Sequence, residues 1–402
     1  MGGVKYTGAV PIFLVVASLA TLAPFSIDTY LPSFPDIATD LSASEAQMQW
    51  SLSFYLMATA ISTLIFGPLS DGFGRRRVIM SALLIYGIAS LGCAMASTID
   101  HLLLFRVGQG LSASAGMVIG RAMVRDVYAG ANAQKVMARV MLLFGVAPAI
   151  APIIGGFLHD LWGWQSVFLF LASVAALLFL MLWLGTSETL LAEQRQSVHP
   201  KYIFQTYLRA FKHRRYLSLI LCFALMFSGF FIYIAGAPTI IYRVLALGAH
   251  DFWIIFVPFV SAIMVGAMVA SHLAGRMESA RIVGWGFVLM VCASLFNVAQ
   301  SVWVSTATPL SVVSPLVIYM LGMSIAMPSL SVMALDCFPH HRGLASAMQS
   351  FAQMSLAGGV VALVVPLVVH GLVDMAMTML ALSCVSALFW LLRSSSDLPI
   401  SH

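Results

Sequence analysis

Apolar residues run through this chain in blocks of roughly 20, separated by short polar breaks. The blocks have neither the alternation of a half-buried strand nor the segments of about ten residues that build a membrane barrel. A helix crossing the hydrocarbon core needs about 20 mostly apolar residues. The pattern predicts twelve such helices, near residues 10–30, 46–68, 78–97, 101–124, 137–158 and 164–185, then 216–238, 251–273, 282–303, 309–333, 343–370 and 372–392. The expected fold is an all-α membrane protein.

The polar breaks orient these helices, because Lys and Arg favour cytoplasmic loops. With the N-terminus inside, 18 of the 20 basic residues are cytoplasmic, Lys5, Arg75, Arg76, Arg77, Lys201, Arg209, Arg276, Arg281 and Arg393 among them. Only Arg106 and Arg243 fall elsewhere, and the opposite breaks carry Asp36, Asp40, Glu45, Asp100, Asp160 and Asp251. Both termini are therefore expected to be cytoplasmic. The longest polar stretch, residues 186–215, holds His199 and Pro200 and reads as a cytoplasmic linker. It separates an N-terminal six-helix half (1–185) from a C-terminal half (216–402). The first apolar run is too long, and its end too acidic and Pro-containing, for a cleavable signal.

Composition narrows the functional classes. Of 402 residues, 61% are hydrophobic and 9% are charged, against about 25% charged in soluble domains, so lipid is the expected solvent. The net charge of +5 then becomes a topology signal, and nucleic acid is not an expected partner. Cys93, Cys222, Cys292, Cys337 and Cys384 are scattered without metal-ligand spacing and read as small apolar side chains. G-x-S-x-G, H-E-x-x-H and Walker loops are missing. The polar segments are too short for a nucleotide-binding domain, so the chain reads neither as an enzyme nor as a self-contained ATP-driven pump.

A weak internal repeat supports two halves. "GPLSDGFGRRRV" (residues 67–78) and "SHLAGRMESARI" (271–282) lie 204 residues apart and align Leu69 with Leu273, Ser70 with Ala274, Arg77 with Arg281 and Val78 with Ile282. Parallel repeats with a site near the bilayer midplane are a known transporter plan.

Specific motifs sharpen this. "GPLSDGFGRRR", between the second and third spans, resembles the loop signature G-x-L-x-D-R-x-G-R-R/K of the major facilitator superfamily. "LLLFRVGQGLSASAG" is similar to that superfamily's helix-4 R-x-x-Q-G motif, and "GVAPAIAPIIGG" to the G-x-x-x-G-P-x-x-G-G motif of its antiporters. With "DTYLPSFPDIATDL", "GRAMVRDVY", "GWQSVF" and "ALDCFPHHRGLASA", the pattern resembles the Bcr/CflA group of drug–proton antiporters. The resemblance implies a major facilitator fold in a bacterial inner membrane, a monomer, alternating access, drug-like cargo, and the proton as coupling ion with no other cofactor.

The residues themselves carry matching chemistry. Asp28 closes the first apolar run with no basic residue between it and Ala9. Burying a lone carboxylate costs several kcal/mol, so Asp28 is either the proton-coupling acid that the resemblance implies or a helix-end residue ahead of Pro32 and Pro35. Arg106, inside the fourth span, seeks an anion: Asp28, a substrate oxygen or a backbone carbonyl. Snorkelling towards the outer interface is the alternative. Gln109 and Gly110 add a polar group and a gap one turn deeper. Tyr30, Tyr55, Arg106, Gln109, Phe227, Phe230, Tyr233 and Gln353 are the candidate substrate-binding residues, since aromatics among polar groups suit amphipathic or cationic ligands.

Conformational gating is expected of Gly67, Asp71, Gly74 and Arg75 in the loop, and of Gly145, Pro148, Pro152 and Gly156 in the fifth span. Gly67, Gly72 and Gly74 would allow a sharp turn, and Asp71 suits a helix N-terminus. The resemblance implies that the matching Asp pairs across the two halves in the outward-facing state. Gly72 stands where the family usually has Arg, which weakens that lock. The fifth span's glycines and prolines thin and bend one helix. Arg121, Arg125 and Asp126 are expected to form a salt-bridge cluster. The leading function is a proton-coupled multidrug exporter. Alternatives are a dedicated metabolite transporter (siderophore, nucleoside or sugar-like cargo), including an importer, and a passive facilitator.

Overall fold

The computed structural model describes residues 10–191, 193, 195, 207–208, 210–304, 306–339 and 341–392. Lys5, His199, Pro200, Lys201, Arg209 and Arg393, which contribute to the orientation and linker expectations, lie outside the described residues. The chain divides between residues 200 and 201 into two compact units. The first contains α1 (Ile12–Asp28), α2 (Phe34–Asp40), α3 (Glu45–Phe73), α4 (Arg75–Ala94), α5 (Ile99–Val127), α6 (Gly130–Trp162) and α7 (Gln165–Gly185). The second contains α8 (Arg214–Thr239), α9 (Trp253–Leu273), α10 (Ser279–Trp303), α11 (Pro309–Leu335), α12 (Arg342–Leu363), α13 (Val365–Val368) and α14 (Leu372–Leu391).

Among the described residues, eleven helical stretches are long and apolar enough to cross a membrane. The remaining expected span, 343–370, is helical as α12 and α13 but is more polar, carrying Gln349 and Gln353, and it breaks at Val364 ahead of Pro366. A proline has no N–H to bond the carbonyl four residues back and its ring crowds that carbonyl, which disrupts the turn before Pro366. Large apolar side chains such as Leu84, Leu177, Leu184 and Leu310 remain exposed on these helices. A water-facing surface rarely tolerates apolar patches of this extent, and this is a multi-pass membrane protein.

Helix starts follow local chemistry. Ser44 accepts from the Gln47 amide at 3.3 Å while Gln47 Oε1 accepts from the Ser44 amide at 2.8 Å, a capping box that opens α3. Thr98 and Thr308 cap α5 and α11 through the amides of His101 and Ser311. Asp28 ends α1, yet the helical path goes on: Leu31–Ser33 forms a tight 3-10 turn and α2 continues to Asp40. Pro32 and Pro35 fall in first-turn positions, where a missing N–H costs no bond. They interrupt the run without ending it, and Asp28 sits at the interruption.

The repeat has a structural counterpart, since the shift of 204 residues carries the start of α4 at Arg75 onto the start of α10 at Ser279. The beginning of the expected linker behaves otherwise. Thr186, Thr189 and Leu190 are buried against the first unit.

Candidate functional site

In the first unit, α1, α3, α4 and α5 converge on one cation. Arg106 lies two turns into α5 with no exposed surface, so it does not snorkel. Its Nη1 donates to the Ser26 carbonyl at 3.0 Å and to Gln109 Oε1 at 2.8 Å, and its Nε donates to the Ser51 carbonyl at 3.4 Å. The guanidinium carbon also lies 4.4 Å from the ring centroids of both Tyr30 and Tyr55. Desolvated cation–π contacts of this kind contribute about 2 kcal/mol. Among the described residues Nη2 has no partner, which costs about 1–3 kcal/mol.

The surrounding polar groups are tied to one another. Gln109 Nε2 donates to Ser90 Oγ at 2.8 Å, Tyr30 and Ser51 share a hydroxyl bond of 2.7 Å, and Tyr55 donates to the Ala23 carbonyl at 3.3 Å. Ser26 and Tyr86 also share a hydroxyl bond. Gly110 lets α5 approach α3, for a Cβ there would stand 2.3 Å from the Tyr55 carbonyl oxygen. The structure thus brings together four expected residues, Tyr30, Tyr55, Arg106 and Gln109, all without exposed surface. Ser26, Ser51, Tyr86 and Ser90 complete the cluster and were not anticipated. Their hydroxyls lie at helical spacing within apolar runs, where serine is usually a packing residue.

Asp28 is 4% exposed. Among the described residues, none donates a hydrogen bond to its carboxylate or forms an ion pair with it. Of the three partners expected for Arg106, the backbone carbonyl is the one observed.

The end of the unit that carries Arg75 is a second polar centre. Gly74 adopts φ +97° between α3 and α4, a conformation that glycine alone adopts readily. Gly67 and Gly72 lie within α3 and make no turn, because the helix runs unbroken to Phe73. Arg75 forms an ion pair with Asp71, donates from Nε to Asp126 at 3.2 Å, and donates from Nη1 to Ser70 Oγ at 2.7 Å. Asp71 therefore pairs within its own unit. Asp126 pairs with Arg75, rather than with Arg121 or Arg125 as expected, because the last turn of α5 brings its carboxylate to the start of α4.

The α6 motif divides in the same way. Pro148 and Pro152 both lie inside the helix, and Pro152 and Gly156 are buried. The expected close approach at Gly145 is not found, since a Cβ there meets open space, as it does at Gly67. Gly155 makes it instead: a Cβ would stand 1.9 Å from the Thr29 carbonyl oxygen.

In the second unit, Phe227 and Phe230 are half-buried with ring centroids 6.1 Å apart, and Phe230 packs on Phe259 at 5.7 Å. Tyr233 is buried, and its hydroxyl accepts from Asn297 Nδ2 at 2.5 Å, with Gln300, Ser301 and Ser311 lining the adjacent recess. Asn297 was not anticipated. Gln353 is half-buried on α12.

Comparison with known proteins supplies the context for both units. A family model described as Major Facilitator Superfamily matches residues 16–362. An uncharacterised transporter of that type from Bacillus subtilis (strain 168) is 32% identical over 337 residues, covering 83% of each chain. A chloramphenicol resistance protein from Pseudomonas aeruginosa is 27% identical over 390 residues, covering 93% of this chain and 90% of its own. The crystal structure of a D-xylose–proton symporter matches with a TM-score of 0.76 at 14% identity, covering 94% of this chain and 96% of the symporter chain. At that identity the match speaks to the fold alone.

Proposed function

The chain belongs to the Major Facilitator Superfamily, among relatives of the Bcr/CflA drug-antiporter type, and from that premise we propose that it is a proton-coupled exporter of amphipathic drug-like compounds in a bacterial inner membrane. It is a transporter and not an enzyme. The observation that carries the coupling proposal is Asp28, a buried carboxylate with no partner among the described residues, at the break between two helical segments of a membrane span. Intramembrane acids of this kind mark ion pathways and proton relays.

In this reading the chain works as a monomer by alternating access. Cargo leaves as Asp28 takes a proton from outside, and the proton is released inward. One charge moving through 100 mV supplies about 2.3 kcal/mol, on the order of 50-fold accumulation. Tyr30, Tyr55, Arg106 and Gln109 are closed off in this state, so the proposal assigns their contact with cargo to another state of the cycle. Phe227, Phe230, Tyr233 and Gln353 are proposed as cargo contacts of the second unit. Relatives named for chloramphenicol and multidrug resistance support drug-like cargo.

Purified protein in proteoliposomes with an internal pH dye tests this. Chloramphenicol, bicyclomycin and a cationic dye would be added in turn to wild type and to Asp28→Asn. A compound-dependent pH change in wild type that is lost in the variant is the expected result. Flux without proton movement would leave a passive facilitator. Silence across the panel from folded protein would move the assignment to a dedicated metabolite transporter.

A further inference from the structure

Glu188 lies three residues beyond α7, in a stretch whose sequence reads as solvated linker. Its carboxylate instead collects four backbone amides. Oε1 accepts from the N–H of Arg75 at 2.9 Å, of Thr189 at 3.0 Å and of Leu190 at 3.2 Å, and Oε2 accepts from the N–H of Arg76 at 3.2 Å. Arg75 and Arg76 are the first residues of α4, so an anion sits on the positive end of that helix.

The arrangement is reciprocal. Arg76 sends its guanidinium back to the carbonyls of Leu182 at 3.2 Å and Trp183 at 2.8 Å, which end α7. A cation there complements the negative end of the helix. The segment leaving α7 thus caps α4, and α4 caps α7. Thr189 extends the tie to α5, its hydroxyl donating to Asp126 Oδ2 at 3.1 Å, and Asp126 holds Arg75. Gly74 completes the fit: a Cβ there would stand 2.6 Å from Glu188 Oε2.

We propose that Glu188 is a positioning residue for the conformational cycle: it fixes the α3–α4 loop, with Asp71 and Arg75, to the segment leaving α7, so that loop and segment move as one body. A carboxylate with four amide donors is a stronger cap than a serine or threonine, because charge-assisted bonds are roughly twice as strong as neutral ones. The inference rests on membership of the transporter superfamily but not on the cargo or the coupling ion. It and the proton-exporter reading therefore fail separately.

The test needs no substrate. Hydrogen–deuterium exchange of the full chain in nanodiscs would be compared for wild type, Glu188→Gln and Glu188→Ala. In parallel, nitroxides at Arg77→Cys and Ser279→Cys in a cysteine-free background would report the ratio of spin–spin distance populations. Glu188→Ala should speed exchange of the Arg75 and Arg76 amides by about tenfold or more, with α5 to α7 protected as before. It should also shift the population ratio at least about threefold, and Glu188→Gln, which keeps one oxygen, should fall between. Unchanged exchange at Arg75 and Arg76 would overturn the proposal. So would faster exchange with an unchanged population ratio, which would make Glu188 a stabilising cap only. If Glu188→Ala does not fold, Glu188→Gln alone decides by the same two readouts.

Discussion

Arg106 donates to the carbonyl of Ser26 at 3.0 Å and leaves Asp28, two residues further on, without an ion pair among the described residues. Two opposite charges in one apolar unit would ordinarily be expected to meet. Here carbonyls, an amide oxygen and two tyrosine faces meet all of the cation but Nη2, and among the described residues the carboxylate has no fixed partner.

Replacing Arg106 separates charge from geometry. Arg106→Lys keeps the charge but cannot present the planar fork that reaches Ser26, Ser51 and Gln109 together, nor stack on Tyr30 and Tyr55 in the same way. A loss of about 3 kcal/mol is expected, read as a fall in the unfolding temperature of about 6–12 °C. Arg106→Met fills similar volume without a buried cation and should be no worse than Lys. A lysine variant as stable as wild type would refute the role given to the fork.

Asp28→Asn should separate transport from stability. On the proposed proton role, uphill transport is lost while counterflow exchange of labelled cargo persists. The unfolding temperature should stay level or rise, because the substitution removes a buried ionisable group and breaks no bond to the carboxylate. Retained uphill transport would end the assignment, and a marked fall in melting temperature would mean that the carboxylate has a partner.

Two glycines of the same α6 motif should respond oppositely to alanine. Gly145→Ala meets open space and replaces a poor helix former, so a gain of up to about 0.5–1 kcal/mol is expected. Gly155→Ala drives a methyl into the Thr29 carbonyl and should cost several kcal/mol or prevent folding. Thermal unfolding of the two variants side by side decides the matter, and similar behaviour would refute the close approach.

Gly74→Ala combines two penalties, a left-handed φ and a collision with Glu188. The backbone term alone is about 1–3 kcal/mol. Pairing it with Glu188→Ala in a double-mutant cycle should recover the collision part but not the backbone part. Simple additivity would mean that the carboxylate does not press on this site.

Much of this was legible in advance, for identifiable reasons. A charge inside an apolar run is conspicuous, so Asp28 and Arg106 stood out, and helical spacing placed Gln109 beside Arg106. Long apolar blocks located the helices, α12 among them even though its glutamines dilute its apolarity. Serine was harder to read, because Ser26, Ser51 and Ser90 look the same in sequence whether they pack or bond a neighbour. Glu188 was hidden by its surroundings, since an acid in a polar stretch reads as solvated until the fold shows which amides face it. The α6 glycines all resembled contact points; only three-dimensional packing distinguishes Gly155, pressed on α1, from Gly145, with open space before it.

The contact between Gly155 and Thr29 also has a mechanical meaning. Thr29 is the residue next to Asp28, and no gap separates its carbonyl from α6. The proline-containing helix and the turn that follows the acid are therefore in direct contact. Any tilt of α6 about Pro148 or Pro152 must push on the backbone beside Asp28, and any straightening of that backbone must push back on α6. The turn beside the carboxylate and the proline-containing helix share a bearing surface one atom wide.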